Sequence, residues 1–222
     1  MTPLFQPTIV QPNDIEAESF RIIDAELSPH FRLDPVEHAV IRRVIHATAD
    51  FDYARNMRIH PGAYEAFLRA MKAGADIICD VQMVMAGISA PRLAKFGGSL
   101  LCPIGDPDVA VAAKAAGHTR AIEAMRKMAR RGNGGVLVIG NAPTALTETI
   151  RLIQQESWRP DLVIGVPVGF VSAAESKQSL ADGHSLPVPY IACVGRKGGS
   201  PCAVATVNAL LLLAEGGSPV KG

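Results

Sequence analysis

Aromatic side chains are scarce in this chain: Phe, Trp and Tyr make up 5% of its 222 residues. Its core must therefore be aliphatic, which the 48% apolar content permits. Neither sign of charge dominates. The 22 Lys and Arg against 21 Asp and Glu leave a formal net charge of +1, too little for a global field that would draw in nucleic acid or anionic lipid. A local basic pocket for an acidic small molecule stays open. Long apolar runs are missing too. The longest lies near Ala209–Ala214, far short of the roughly 20 residues that span a bilayer. The opening MTPLFQPTIVQPND has no basic start and no apolar segment, so no secretory signal and a cytoplasmic location are expected. The four cysteines (Cys79, Cys102, Cys193, Cys202) form no C-x-x-C pair. Reduced core cysteines are the expectation.

Familiar catalytic modules are absent as well. No segment fits G-x-x-x-x-G-K-[ST], G-x-G-x-x-G or G-x-S-x-G, which sets aside the phosphate loop, the dinucleotide fingerprint and the hydrolase elbow. No His pair at helical spacing is joined by a carboxylate. His38 and His46 stand eight apart with Arg42 between them, poor for a zinc site. No metal and no cofactor are expected.

What the chain does have is short apolar runs that end in glycine turns. VLVIG ends at Gly140, LVIG at Gly165 and IACVG at Gly195. A helical pattern resumes after each. Five strands are predicted, at Ile77–Cys79, Leu100–Cys102, Val136–Ile139, Leu162–Ile164 and Tyr190–Val194. The intervening helices are placed at Pro107–Ala116, Thr119–Arg130, Pro143–Gln155, Ala173–Ala181 and Pro201–Ala214. This alternation predicts an α/β fold: a doubly wound, mainly parallel sheet of about five strands with helices on both faces. Helices precede it. One starts at Asn13 or Asp14, with Glu16 completing a capping box on Asn13. Another starts at Asp34-Pro35-x-Glu37 and runs to His46, and a third covers Pro61–Ala73. A single domain over 1–222 is expected, with ends before about 13 and after about 216 loosely held. In such sheets ligands sit beyond the carboxyl ends of the strands. Here those ends are Asp80, Pro103–Asp106, Gly140–Thr144, Gly165–Gly169 and Gly195–Ser200. Glycine there would let backbone approach a ligand.

Seven segments, in order, are more specific. They are Glu18-Ser19-Phe20, RVIHAT from Arg43 to Thr48, ICDV from Ile78 to Val81, GNAPTAL from Gly140 to Leu146, GVPVGFV from Gly165 to Val171, Ala174-Glu175-Ser176-Lys177, and GRKGGS from Gly195 to Ser200. Together they resemble the precorrin-8X methylmutase (precorrin isomerase) family of cobalamin biosynthesis, from about Asn13 to about Leu213. The resemblance implies a doubly wound α/β homodimer, without nicotinamide, flavin or ATP. It also implies an isomerase that moves a methyl group from C-11 to C-12 of a corrin precursor, giving hydrogenobyrinate or its cobalt counterpart. The carrier reading, in which the protein only binds and passes on a corrinoid, uses the same surface. A generic nucleotide-binding enzyme is a third reading, against which the missing phosphate loops count.

The resemblance assigns roles. His46 matches the family's catalytic histidine and falls at a predicted helix end, where the dipole attracts a cation. Imidazole suits a proton donor working at neutral pH. Ser19 and Arg120 match substrate-contacting residues. Asn141, Thr144, Lys177, Lys197 and Ser200 are further substrate-binding candidates. Asn141 and Thr144 are equally explained as helix caps, and Ser176 and Lys177 as helix surface. A flat polyacid tetrapyrrole needs an apolar slot, assigned to Met83, Met85, Ile88, Val166, Val168 and Phe170. It also needs an anion-binding rim, assigned to backbone N–H groups at Asn141–Thr144, Val171–Ala173 and Gly198–Ser200. His30, His38, His60, His118 and His184 are read as solvated, and Arg43 as a charged neighbour. Ala49 stands where the family often has glycine, which puts the shape of that loop in question.

Overall fold

The computed structural model describes residues 11–182 and 186–217. The ends expected to be loosely held fall largely outside these residues, as does His184.

Six strands form one sheet: β1 (Met57–Ile59), β2 (Ile77–Cys79), β3 (Leu100–Leu101), β4 (Val136–Ile139), β5 (Leu162–Gly165) and β6 (Tyr190–Cys193). Their order is β1-β6-β5-β4-β2-β3. The five expected strands are all parallel. The sixth, β1, is an addition: it pairs antiparallel with β6 and sets Met57 opposite Cys193.

Alternation along the strands splits the core in two. Ile77, Cys79, Val136, Val138, Ile164 and Cys193 belong to one apolar layer. It is covered by α1 (Pro12–Leu27), α2 (Pro35–Thr48), α4 (Ala63–Lys72) and α11 (Ser200–Ala214). Ile78, Leu137, Ile139, Val163 and Ala192 face the other layer, under α8 (Arg120–Arg131), α9 (Pro143–Gln155) and α10 (Ala173–Ala181). A sheet buried on both faces needs continuous apolar strands, which is what the short runs provide. Shorter helices complete the chain: α3 (Tyr53–Asn56), α5 (Gln82–Gly87), α6 (Ala90–Ala94) and α7 (Pro107–Ala116).

The start of α2 is as its sequence implies. One oxygen of Asp34 accepts the N–H groups of Val36 (2.8 Å) and Glu37 (2.9 Å), and Glu37 reaches back to the Asp34 N–H (3.2 Å). Such a reciprocal box contributes about 1 kcal/mol. The box expected on Asn13 does not form. Pro12 already occupies the first turn of α1, and Gln11 flanks it without a side-chain bond. Cys79, Cys193 and Cys202 are buried, Cys102 is half-buried, and all four are free thiols.

Candidate active site

His46 lies on the last turn of α2 and is exposed. Helix α1 crosses beside it. The rings of Phe20 and His46 are 5.0 Å apart between centroids, tilted by 47°. Arg42 and Arg43 lie over the same phenyl ring at 4.4 and 4.8 Å. Arg42 and His38 both bond Asp24 of α1 (3.1 and 2.9 Å), and Arg43 bonds Glu16 (2.5 Å). The two helices are thus fixed to each other through polar and aromatic contacts. Between them opens a cleft of about 320 Å³ lined by Ser19, Ile22, Ile23, Ile45, His46, Ala49 and Phe51. Ser19 of α1 and His46 of α2 therefore line the same cleft. The Ser19 hydroxyl donates back to the Ile15 carbonyl at 2.7 Å, which leaves its oxygen able to accept a bond. A larger cavity of about 500 Å³ runs past Arg43, Ala47, Arg92 and Asn208. Its cations are already matched, Arg43 by Glu16 and Arg92 by Glu215, so the smaller cleft with the free imidazole is the better reaction site.

Beyond α2 the chain turns along the carboxyl edge of the sheet. Ala49 takes the left-handed conformation (φ 53°, ψ 31°), so the loop keeps the shape that glycine would favour. The segment from Asp50 to Tyr53 then meets the glycine turn after β6. Lys197 Nζ bonds Asp50 and Asp52 at 2.6 Å each, and the Tyr53 hydroxyl donates to the Gly198 carbonyl at 3.2 Å. Burial pushes the Tyr53 phenol up to about 12, so it remains the donor. Gly198 is required where it is: a side-chain carbon there would stand 2.2 Å from the Val166 carbonyl oxygen.

Several assignments change. Lys177 is fully buried and donates to the Lys197 carbonyl at 2.5 Å. Desolvation pushes its pKa down. It is neither rim cation nor helix surface. Ser176 is buried beside it and bonds within its own helix. Lys197 reaches the edge, but its charge is matched by two carboxylates. Ser200 is buried in the first turn of α11. Ile88 and Val166 pack in the core rather than in a slot, because α5 and the end of β5 bury both. Met83, Val168 and Phe170 are exposed, and Met85 packs partly on the core.

The anion rim is also narrower than expected. Asp80, at the end of β2, is 1% exposed and accepts the N–H groups of Gly140 (3.1 Å), Asn141 (2.8 Å) and Ala142 (2.7 Å). An internal carboxylate thus holds the start of α9, and Ala142, not Asn141 or Thr144, is the capping position. Burial pushes the Asp80 carboxyl up, while the three N–H bonds draw it down. The Gly199 N–H is taken by the Val166 carbonyl (2.8 Å). The start of α10 at Ser172 has no side-chain cap bond, and Glu175 stands in its first turn. Gly140 and Gly165 serve packing rather than a ligand: side-chain carbons there would meet Ala203 and Leu180 at 2.8 and 2.6 Å.

Arg120 opens α8 and is exposed, and Asn141 is exposed after β4. The Thr144 hydroxyl lies 3.2 Å from that of Thr119. Arg120, Asn141 and Thr144 are thereby grouped at the β4 end of the edge. His46 and Ser19 approach the edge beyond β6, where the loop from Asp50 to Tyr53 joins the glycine turn. With β5 between, a strand spacing of about 4.8 Å puts the ends of β4 and β6 about 10 Å apart. Sequence reasoning passed over Arg196, which lies exposed in that turn over the exposed ring of Phe170 (5.5 Å). Its neighbour Lys197 drew attention instead, though the same motif contains both. Arg120 and Arg196 have no carboxylate partner among the described residues. His38 and His60 are half-buried rather than solvated; the former bonds Asp24 and the latter accepts the Gly62 N–H. His118, exposed, bonds Glu123.

A mainly parallel, doubly wound sheet, with an exposed imidazole near its carboxyl edge and two arginines there that have no carboxylate partner among the described residues, defines an α/β protein whose candidate site lies along that edge. The precorrin-8X methylmutase family profile matches residues 14–213. The cobalt-precorrin-8 methylmutase of Priestia megaterium is 48% identical over 218 residues, 98% of this chain and 95% of that protein. The precorrin-8X methylmutase of Pseudomonas aeruginosa is 40% identical over 88% of this chain and 93% of its own length. The crystal structure of precorrin-8X methylmutase from Thermus thermophilus superposes with a TM-score of 0.81 at 42% identity, covering 92% of this chain and 98% of that one. The chain belongs to the precorrin-8X methylmutase family and is an isomerase of the methylmutase type. Among the described residues no helix is long and apolar enough to cross a membrane, and no group of His, Cys, Asp and Glu is placed to hold a metal.

Proposed function

We propose that this enzyme moves the methyl group from C-11 to C-12 of precorrin-8X or cobalt-precorrin-8, with His46 as the general acid. The observation that carries this reading is one cleft lined by both Ser19 and the exposed imidazole of His46, which has no hydrogen-bond partner among the described residues. The cleft takes one edge of the macrocycle. The rest lies along the carboxyl edge of the sheet, on the exposed side chains of Val168 and Phe170.

The shift is intramolecular, so no nucleophile is needed. His46 donates a proton to the conjugated ring system as electrons redistribute, the methyl group migrates, and the proton returns to the imidazole. Substrate and product stay isomers. Ser19 accepts or donates a bond at the same edge. Arg120 and Arg196 each meet a peripheral carboxylate, and the side chains of Asn141 and Thr144 add neutral contacts. The chain, residues 1–222, works as one domain, and a homodimer is the proposed working unit.

Incubation with the metal-free and the cobalt-containing precursor tests the reading. The absorption spectrum of the matching corrin should appear with at least one of them. An enzyme that binds both pigments and converts neither would be a carrier.

A further inference from the structure

The proposed chemistry gives Lys197 and Lys177 no task, although Lys197 belongs to the turn that borders the site and Lys177, on α10, bonds that turn from beneath. We propose that Lys197 is a positioning residue that holds the His46 segment against the glycine turn, with Lys177 fixing that turn from beneath. This rests on the reading of His46 as the acid.

The residues that follow His46 are tied down one after another. Ala49 closes α2 through its N–H bond to Ile45 (2.7 Å). The Asp50 carboxylate accepts the Asp52 N–H (2.9 Å), which closes a tight turn. Both carboxylates then converge on Lys197 Nζ at 2.6 Å, and Tyr53 adds its bond to Gly198. Three bonds thus join residues 50–53 to residues 197–198, about 145 positions further along the chain. None of them involves the cleft wall itself.

The other side of the clamp is equally fixed. The Lys197 carbonyl takes the ammonium of fully buried Lys177. That carbonyl is the only hydrogen-bond partner of Lys177 among the described residues. An ammonium buried for one neutral acceptor is costly, and its effect is to stop the turn from rotating. The Gly169 N–H to Arg196 carbonyl bond (3.3 Å) ties the same turn to the segment after β5. Lys197 already spends two of its three ammonium protons on Asp50 and Asp52, whereas Arg196 beside it has no carboxylate partner among the described residues and is the better contact for a substrate carboxylate.

The test compares Lys197→Met, Lys197→Arg and His46→Ala, each alone, with the Lys197→Met/His46→Ala double variant. Lys197→Met should lower kcat about tenfold to a hundredfold, the scale of a misplaced catalytic group, while the Kd for the corrin product stays within about twofold. Lys197→Arg, which can still reach both carboxylates, should recover most of the rate. In the His46→Ala background, where turnover is already lost, Lys197→Met should leave the product Kd within about twofold of the single variant. The His46 ring resonances, set by the Phe20 ring, should move in Lys197→Met and return in Lys197→Arg. If Lys197→Met fails to fold, Asp52→Asn gives the same pattern in weaker form. An unchanged kcat with weakened product binding would make Lys197 a substrate contact. A lower melting temperature with kcat and Kd intact would make it merely structural. Either result overturns the inference. Full turnover by His46→Ala would instead overturn the acid reading. An inactive His46→Ala beside a fully active Lys197→Met would sink the clamp alone.

Discussion

Phe20 of α1 stands 5.0 Å from His46 of α2, ring centroid to ring centroid, and is 4% exposed. A core aromatic in a chain with few of them therefore forms the floor under the one histidine assigned to chemistry. The contact makes α1 part of the site: the residue before Phe20 is Ser19, which it presents to the same cleft.

Asp80 is the clearest internal support of the β4 end. Asp80→Asn replaces an acceptor with an N–H₂ donor facing backbone N–H groups, in a site that water does not reach. The unfolding free energy should fall by about 2–4 kcal/mol, and turnover should fall with it as Asn141 and Thr144 lose their anchor. Urea denaturation checks the first part, and an unchanged midpoint would show that the three N–H bonds contribute nothing.

Arg120 lies exposed on the open edge and has no carboxylate partner among the described residues. Arg120→Ala should weaken binding of the corrin product about tenfold to a hundredfold, as for loss of a charge-assisted bond. Pigment titration measures it. An unaltered Kd removes Arg120 from the site.

Ala49 occupies a left-handed conformation that disfavours any side chain. Ala49→Gly should raise the unfolding free energy by up to about 1 kcal/mol, since relief of strain outweighs the added freedom of the unfolded chain. Thermal melting decides the sign.

Acid pH probes the clamp independently. The Lys197 ammonium beside Asp50 holds its carboxyl below the usual carboxylate range. The stability gained from that pairing is complete above the ordinary Asp value of about 3.9 and is lost as pH falls through the lower folded value. Asp80 works the other way, since burial raises it and acid relieves the cost of its charge. The difference between wild type and Lys197→Met isolates the first effect. It should be constant from neutral pH down to about pH 5 and close below about pH 4. A difference independent of pH would contradict the pairing.

The parallel core was legible because a strand buried on both faces must be an apolar run, and three of the five runs end in glycine. β1 was missed because three residues at a sheet edge carry no such run, and Arg58 interrupts them. The very short α5 and α6 hold too few turns to show a face. Asp34-Pro35-x-Glu37 was readable as a cap because all its bonds are local. The capping of α9 was not, because Asp80 lies sixty positions from Gly140. For the same reason nothing in GRKGGS reveals that Lys197 is matched by Asp50 and Asp52, or that Arg196 lies over Phe170 instead. Lys177 looked like surface in a short helix; its burial depends on β6 and α11 closing over it. His46 and Ser19 stood out through family resemblance, and their shared cleft follows from how α1 crosses α2.

The most direct measurement is single-turnover conversion of precorrin-8X, with and without cobalt, by wild type and His46→Ala, alongside product binding by both. The account predicts that His46→Ala binds the pigment within a few-fold of wild type, as expected when a group acts only in the transition state, and that rearrangement is abolished. Conversion by His46→Ala at a rate near that of wild type would contradict it.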